Sequence, residues 1–590
     1  MNYLKLTEYY ELLEKTSKRL EKTHILSELL KQTKSEEVEP LINLLKGSVF
    51  PPWDERKIGI SEKLVIKALA TSSGVSSEKI EKNWAKIGDL GEVAEELLSN
   101  KKQQTLFSRK NLEISIVYNQ IRKIASLVGE GTVSKKIGII CELLAAAHPQ
   151  EVKFIIRTLL EDLRIGIGEG TLRDAIVWSF FGEKLHLSYD PKTNEVKIPE
   201  GNREEFEKIL DEVQQAYDLT NDFAEVFIIL SKRGFTGLEK ISLKVGRPLN
   251  VMLAIKAEST TEAAEALGLP CLCEHKLDGF RVQIHNDGKE IKLYSRRLEN
   301  LTHPFKELLS VLKDSVKAKS YILDAEIVGY DPKTKKYLAF QDISQRIKRK
   351  YDIEKLAKKI PVEINVFDIL SKDEEDLTVR SQKERRSILE KTIKEKKGKI
   401  CITEGIVAET TQDIEDFYKK AISFGLEGIM IKNLEKPYTA GRKVGGWMKL
   451  KPVLENLDLV ITKAEYGTGK RAGVLSSYTI SCLNKDKSRF LELGKVATGL
   501  KEKEEEGESF TQLTKLLKPF ILKTNGREVE VKAKIVIEVA YEEIQESQSY
   551  SSGYALRFPR YIRLRSNERS PNEINTLEDV ERIYRKQRGR

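Results

Sequence analysis

The sequence predicts a multidomain chain with three architectures in series: an all-α domain over residues 1–240, an α+β domain over 241–452 and a C-terminal β-barrel over 453–590. Three observations carry the division. Apolar residues recur at three- and four-residue spacing through the first third, the period of amphipathic helices. From Cys271 onward short runs alternate apolar and polar side chains, the period of half-buried strands. After Pro452 five further strand-like runs are broken by one helical stretch, which suits a small closed barrel.

In the first third, LEKTHILSELLKQ, EPLINLLKG, SEKLVIKALATSSG and VSKKIGIICELLAAA carry the helical spacing, with Ser134 as an expected N-cap and Pro51-Pro52 as a breaker. The pattern changes near Gly246–Pro248. GFRVQIH, EIKLYSR, YILDAEIVG, EINVFDIL, EGIMIK and GWMKLK then read as strands, with helices over 305–314 and 380–394. Asn286-Asp287-Gly288 marks a hairpin turn. The barrel runs are LDLVITKAEYG, VLSSYTISCL, RFLELGKVATG, EVKAKIVIEVAYEEI and RFPRYIRLR, with a helix near 504–520.

Composition narrows the function. Lys plus Arg minus Asp plus Glu is 101 − 91 = +10, which permits a polyanionic partner. The absence of any long apolar run argues against a membrane span, and MNYLKLTEYYELLEK has no apolar core of a secretory signal. Five scattered cysteines exclude a disulfide scaffold and fit a reducing compartment, so a cytoplasmic protein is expected. Cys271-Leu272-Cys273 has no second pair to make a zinc site and reads as strand core.

The chemistry concentrates in Glu274-His275-Lys276-Leu277-Asp278-Gly279-Phe280-Arg281. A lysine amine becomes a nucleophile once its proton is removed, which nearby cations or desolvation favour. Alone, this stretch reads more readily as a surface lysine beside a hairpin. Its company changes the reading. In order follow Ser295-Arg296, Leu323-Asp324-Ala325-Glu326-Ile327-Val328, Val366-Phe367-Asp368-Ile369-Leu370, Glu427-Gly428-Ile429-Met430-Ile431-Lys432 and Trp447-Met448-Lys449-Leu450-Lys451. Trp447, Lys449 and Lys451 share one strand face, and two lysines about 7 Å apart form a triphosphate clamp or a solvated edge. Phe367 can offer a ring face to a purine or simply fill a core. Glu326 and Glu427 are acids that could orient ribose hydroxyls or a hydrated divalent cation.

This ordered set resembles the covalent nucleotidyltransferase superfamily of ATP-dependent DNA ligases, RNA ligases and mRNA capping enzymes. The helical first third and the final RFPRYIRLR point to DNA ligases of the archaeal and eukaryotic replicative type. The resemblance implies that the middle domain is an adenylation (nucleotidyltransferase) domain and the barrel an OB-fold. It implies sealing of nicks in duplex DNA through a lysyl-AMP and a DNA-adenylate, in replication, repair and recombination, by a monomer in an archaeal cytoplasm. ATP and Mg²⁺ or Mn²⁺ are the implied cofactors. Lys276 would carry AMP. Glu274 would contact the adenine edge, Arg281 and Arg296 would bind phosphate, Glu326 the ribose and metal, Phe367 the adenine face and Glu427 the metal. Lys449 and Lys451 would neutralise the triphosphate. In Ala440-Gly441-Arg442-Lys443-Val444 either Arg442 or Lys443 takes a further phosphate contact.

The last motif departs from the family pattern. Arg565-Ser566-Asn567-Glu568-Arg569 is one residue longer and ends in Arg instead of Lys. Arg565 and Arg569 are carried over as pyrophosphate-orienting groups, and Arg557 and Arg560 as basic groups facing DNA or ATP. Gly467-Thr468-Gly469-Lys470-Arg471 lacks the full Walker A pattern and reads as a turn, with Lys470 and Arg471 available to DNA. Arg164-Ile165-Gly166-Ile167-Gly168-Glu169-Gly170-Thr171 resembles the backbone-contacting loop of ligase DNA-binding domains, with Thr171 as the expected cap of the next helix. Gln103 to Phe107 partly resembles a sliding-clamp-binding box. A non-catalytic DNA-binding scaffold is the rival reading, as is an RNA ligase.

Overall fold

The computed structural model describes residues 1–99, 112–129, 131–331, 353–441, 444–452, 454–467, 473–502 and 504–587, with Arg471 and a few positions between 333 and 346. The Gln103–Phe107 loop, Arg442, Lys443 and Lys470 lie outside these residues. Two compact units result. One joins residues 1–253, 279–402 and 435–445, and the other joins 254–278, 403–434 and 446–590. No helix of the described residues is long and apolar enough to cross a membrane.

In the first unit, helices packed on one core from Tyr3 to Leu238 fill the region expected to be all-α. Two expected caps are corrected. The helix around Ser134 is Thr132–Ala146 and starts after Gly131, so Ser134 lies in its first turn. The helix expected to start at Thr171 is Glu169–Phe181, preceded by Gly168. Each time a glycine supplies the turn into the helix, and the hydroxyl signal sits two or three residues too late. A short hairpin, β1 (Ser188–Asp190) with β2 (Glu195–Lys197), interrupts the helices.

Further along the chain come β3 (Leu253–Ala257), β4 (Cys271–Lys276), β5 (Phe280–Asn286), β6 (Ile291–Ser295), β7 (Tyr321–Asp331), β8 (Lys336–Leu338), β9 (Val362–Lys372), β10 (Glu375–Asp376) and β11 (Ile400–Ile402). They are followed by β12 (Gly405–Ala408), β13 (Gly428–Asn433) and β14 (Val444–Leu450). The first unit holds the sheet β10-β9-β7-β5-β6, with β11 on β9 and β8 on β7. Its apolar face, including Val282, Ile284, Leu323, Ala325 and Ile364, packs against the Leu308–Ser315 and Gln382–Thr392 helices through Leu308, Leu312 and Leu389.

The other face of β5 is polar yet buried, because residues 246–252 cross it. Gln283 accepts from the Leu249 amide at 3.1 Å and returns a bond to its carbonyl, and the Gly246 amide donates to His285 Nδ1 at 3.1 Å. An acceptor nitrogen requires neutral imidazole, and burial pushes the His285 pKa down to about 3. The same strap is tied to the helical region. Asn221 Nδ2 donates to Pro248 O at 2.8 Å, the Asn250 amide donates to Asp218 O at 3.1 Å, and Arg247 pairs with Glu225.

In the second unit the sheet runs β12-β4-β13-β14-β3. The strand-rich region past Pro452 begins with β15 (Leu457–Tyr466), β16 (Leu475–Leu483) and β17 (Phe490–Val496). After the Phe510–Leu517 helix come β18 (Ile521–Asn525), β19 (Glu528–Val531), β20 (Val536–Ala540), β21 (Glu543–Glu546), β22 (Tyr554–Arg557) and β23 (Arg560–Leu564). Its main sheet is ordered β17-β16-β15-β19-β18, with β20 joining β15 to β23. The Tyr561 amide reaches Thr498 O at 2.8 Å, bringing the last strand back beside the end of β17. Two expected strands are split. EVKAKIVIEVAYEEI breaks because β19 and β20 pair with opposite halves of β15. RFPRYIRLR breaks at Phe558 (φ +50°) and Pro559, which has no amide to donate.

Candidate active site

Side chains alternate across a strand. On one face of the second unit's sheet, Cys271, Cys273, Ile429, Ile431, Met448 and Leu450 form an apolar layer under the Thr260–Leu267 and Thr411–Ser423 helices. Direct pairing of Lys276 with Gly428, Glu274 with Met430, Met430 with Lys449 and Lys432 with Trp447 puts the polar residues together on the opposite face. The expected strand core at Cys271 and Cys273 and the shared face of Trp447 and Lys449 are both present, while Lys451, expected on the same strand, follows the end of β14 at Leu450.

Lys276 Nζ pairs with Glu427 Oε2 at 2.5 Å, and Lys451 Nζ pairs with the other oxygen of the same carboxylate. The Glu427 amide donates to Lys276 O at 3.2 Å, which fixes the acid beside the amine. Burial opposes the charge on Glu427, but the two ammonium groups outweigh it and hold its pKa below the ordinary 4.5. Lys449 is pushed down, first by burial and then by repulsion from Lys451 and Lys276. Burial also disfavours charge on Lys451, but Glu427 outweighs it and raises the pKa, and Glu542 stands 3.4 Å away. Three lysines around one shared carboxylate leave a surplus of positive charge suited to a polyphosphate.

The sign of the Glu427 shift gives a prediction. A carboxylate with a depressed folded-state pKa lends stability that is complete above its unfolded value and is lost as pH falls through the folded one. Melting temperature should therefore fall on acidification below the ordinary 4.5, and Glu427→Gln should lack that component. Comparing the two melting profiles between about pH 3 and pH 6 checks this, and identical profiles refute it.

Glu274 lies deeper. Its Oε2 is 2.5 Å from Lys432 Nζ, and each side chain is 1% exposed. The Lys432 ammonium also stands 4.4 Å from the centroid of the Trp447 ring. Lys432 was not singled out in the sequence, although a lysine ending the apolar run Gly-Ile-Met-Ile, in step with Gly428 and Met430, is the available signal. Gly428 itself is constrained. It has φ +141°, and a β-carbon there would come within 2.0 Å of Leu450 O. Gly428→Ala should push β14 off β13, costing about 1–3 kcal/mol and about tenfold or more in Lys276 adenylation. Thermal melting and a labelling assay measure the two effects.

The remaining candidates lie in the first unit. Arg281 grips Asp324 through Nε–Oδ1 (3.0 Å) and Nη2–Oδ2 (2.7 Å), while Nη1 donates to Met252 O at 2.6 Å. Burial opposes its charge, but Asp324 outweighs burial and keeps the guanidinium protonated. Tyr438 OH joins this hub. It donates to Asp324 Oδ2 at 2.9 Å and accepts from the Met252 amide at 3.0 Å. Glu326 pairs directly with Arg281 across β7 and β5 and is half-buried.

Phe367, like Leu370, is a residue of β9 set outside the β7 ladder: Asp324 faces Asp368, and the next residue, Ala325, faces Val366. Such a bulge re-aims a side chain. Phe367 is accordingly half-buried in an otherwise buried stretch, with the Arg281 guanidinium 5.4 Å from its ring centroid. Arg296 is exposed in the turn after β6.

In the strand-rich region Arg565 and Arg569 both pair with Asp458, at 3.3 and 2.9 Å, and Arg565 also binds Glu568. Arg557 pairs with Glu543 at 3.2 Å and lies 3.8 Å from Asp278 of the lysine motif, whereas Arg560 is exposed. Arg471 pairs with Glu502 and stacks 4.1 Å from the Phe510 ring. Among the described residues no group of three or more His, Cys, Asp or Glu converges as a metal cage.

Comparison with known proteins covers almost the whole chain. Residues 2–177 match the DNA ligase N terminus, 251–451 the ATP dependent DNA ligase domain and 471–568 the ATP dependent DNA ligase C terminal region. A DNA ligase of Nanoarchaeum equitans is 46% identical over 100% of this chain and 99% of its own length. DNA ligases of Thermococcus onnurineus and Archaeoglobus fulgidus are 39% and 38% identical over 99% and 100% of this chain, and 98% and 99% of their own lengths. A solved structure described as Pmar-Lig_PreS3 shares the fold with TM-score 0.52 at 17% identity, over 95% of this chain and 99% of that one. With an amine held against a carboxylate among lysines, and with these relatives along its full length, the chain belongs to the ATP-dependent DNA ligase family.

Proposed function

We propose that Lys276 is the adenylated nucleophile in sealing nicked duplex DNA, and that the regions 1–240, 241–452 and 453–590 act as DNA-binding, adenylation and OB-fold domains. The observation that carries this is the Lys276–Glu427 pair flanked by Lys449 and Lys451. In the first step the Nζ lone pair attacks the α-phosphorus of ATP. A P–N bond forms, the bond to the β-phosphate oxygen breaks and pyrophosphate leaves. The 5′-phosphate at the nick then takes AMP from the lysine, and the 3′-hydroxyl displaces AMP to form the phosphodiester.

Before attack the ammonium must lose its proton, for which Glu427 is the adjacent acceptor. Lys449 and Lys451 offset the charge of the departing pyrophosphate. Glu274, held by Lys432, takes the adenine edge, Phe367 its face and Glu326 the ribose. Arg281, aimed by Asp324 and Tyr438, and Arg296 meet phosphate, as does Arg442 or Lys443. Mg²⁺ or Mn²⁺ is the implied cation, and Glu427 and Glu326 are each assigned to it as hard oxygen donors. When bound, such a cation neutralises charge on the phosphates. The loop 164–171 lies on the DNA backbone, and the Gln103–Phe107 segment is assigned to a sliding clamp.

The test is incubation with α-labelled ATP and Mg²⁺, followed by addition of nicked DNA. Acid-stable label on the protein that passes to the 5′-phosphate supports the reading, whereas absence of label favours the scaffold alternative. Sealing of RNA-only nicks would favour an RNA ligase.

A further inference from the structure

The glycine-containing loop before the Glu169–Phe181 helix is supported from a distant part of the chain. Lys22, on the Arg19–Lys31 helix, is 7% exposed, and its Nζ donates to Ile165 O and, at 3.2 Å, to Gly166 O. Gly166 has φ +63°, and a β-carbon there would stand 2.7 Å from that ammonium, so loop and lysine approach closely. On the other side Arg164 is anchored to Gly88 O at 3.1 Å and Asp89 Oδ2 at 3.2 Å. One turn before Lys22, Arg19 comes within 3.4 Å of the β-carbon position of Gly170. Its side chain is 59% exposed, with Nη2 on Asp174 at 2.5 Å. A guanidinium has five donors in a fixed fork, so this one pairing does not exhaust it.

We infer that the first turn of the Arg19–Lys31 helix belongs to the DNA-phosphate site: Arg19 contacts the phosphate that reaches residues 166–170, and Lys22 is the positioning residue that holds the loop beneath it. This rests on the reading that the 164–171 loop lies on DNA. A buried ammonium bonded to two carbonyls fixes which way the loop's amide groups face, and its charge lies beneath them. Arg19 stands on the solvent side, where a phosphate can meet it.

The test measures binding of the full-length protein to a nicked duplex over a salt series, with melting checked for every variant. Arg19→Gln should weaken binding severalfold and reduce the slope of log affinity against log salt by about one. Lys22→Met should weaken binding about tenfold with the slope unchanged, because no phosphate contact is removed, and Lys22→Arg should restore part of the loss. An unchanged slope in Arg19→Gln overturns its assignment, and a loss of about twofold or less in Lys22→Met overturns the positioning role. Gly168→Glu separates this from the loop reading, since Gly168 is extended and a β-carbon there meets nothing within 4 Å. Wild-type affinity in Gly168→Glu defeats the loop reading. Lost affinity there, with normal Arg19 and Lys22 variants, defeats only this inference.

Discussion

Lys276→Ala should abolish covalent labelling by α-labelled ATP, a fall of at least about 10⁴-fold, because the other amine on the shared carboxylate, Lys451, sits on its opposite oxygen and beside Glu542 and does not take the place of Lys276. Lys276→Arg should fail equally, since a guanidinium stays protonated and is a poor nucleophile. Both variants should still close a nick that already carries AMP on its 5′-phosphate, within about tenfold of the wild type, because the last step spends no lysine nucleophile. Labelling gels and sealing of a pre-adenylated duplex read the two outcomes. Persistent label in Lys276→Ala would move the nucleophile elsewhere and sink the mechanism.

The second large effect concerns stability. Arg385 and Asp368 are both fully buried and paired through Nε–Oδ1 (2.8 Å) and Nη2–Oδ2 (3.0 Å). Arg385 also donates to Arg380 O at 2.7 Å and to Gln382 Oε1 at 2.9 Å. Arg385→Met strands a carboxylate in the core and should cost about 3–5 kcal/mol. At a few degrees per kcal/mol the melting point falls by roughly 10 °C or more. Arg385→Met with Asp368→Leu should recover much of the loss, since replacing both partners leaves no bare charge. A double variant no better than the single would mean that packing, and not charge burial, dominates there.

The longer strands were legible from alternation alone, but their division into two sheets was not. The runs around Lys276, Ile429 and Met448 announced strands with one apolar and one polar face, and the pairing register placed them side by side. Motif order led to the amine and its lysines. Asp368 was quoted as part of the Phe-Asp-Ile-Leu run, but its partner Arg385 lies on the Gln382–Thr392 helix, and no local pattern links them. The strap over β5 was invisible for the same reason. Its bonds use backbone groups of Gly246 and Leu249, which any sequence would carry. Lys22 lies in the run LEKTHILSELLKQ, where no local pattern marks it, and only tertiary structure shows it buried. The bulge at Phe367 has no composition signal, since it is a property of register between two strands.

That bulge has an evolutionary consequence. The ladder between β7 and β9 resumes on either side of Phe367, so the register of the sheet does not depend on the residue at position 367. Exchanges among ring-bearing residues there should be nearly silent for folding while altering whatever the ring meets. Drift in ligand preference is thereby uncoupled from drift in foldability, leaving the lineage one site for exploring new preferences at little risk to the scaffold.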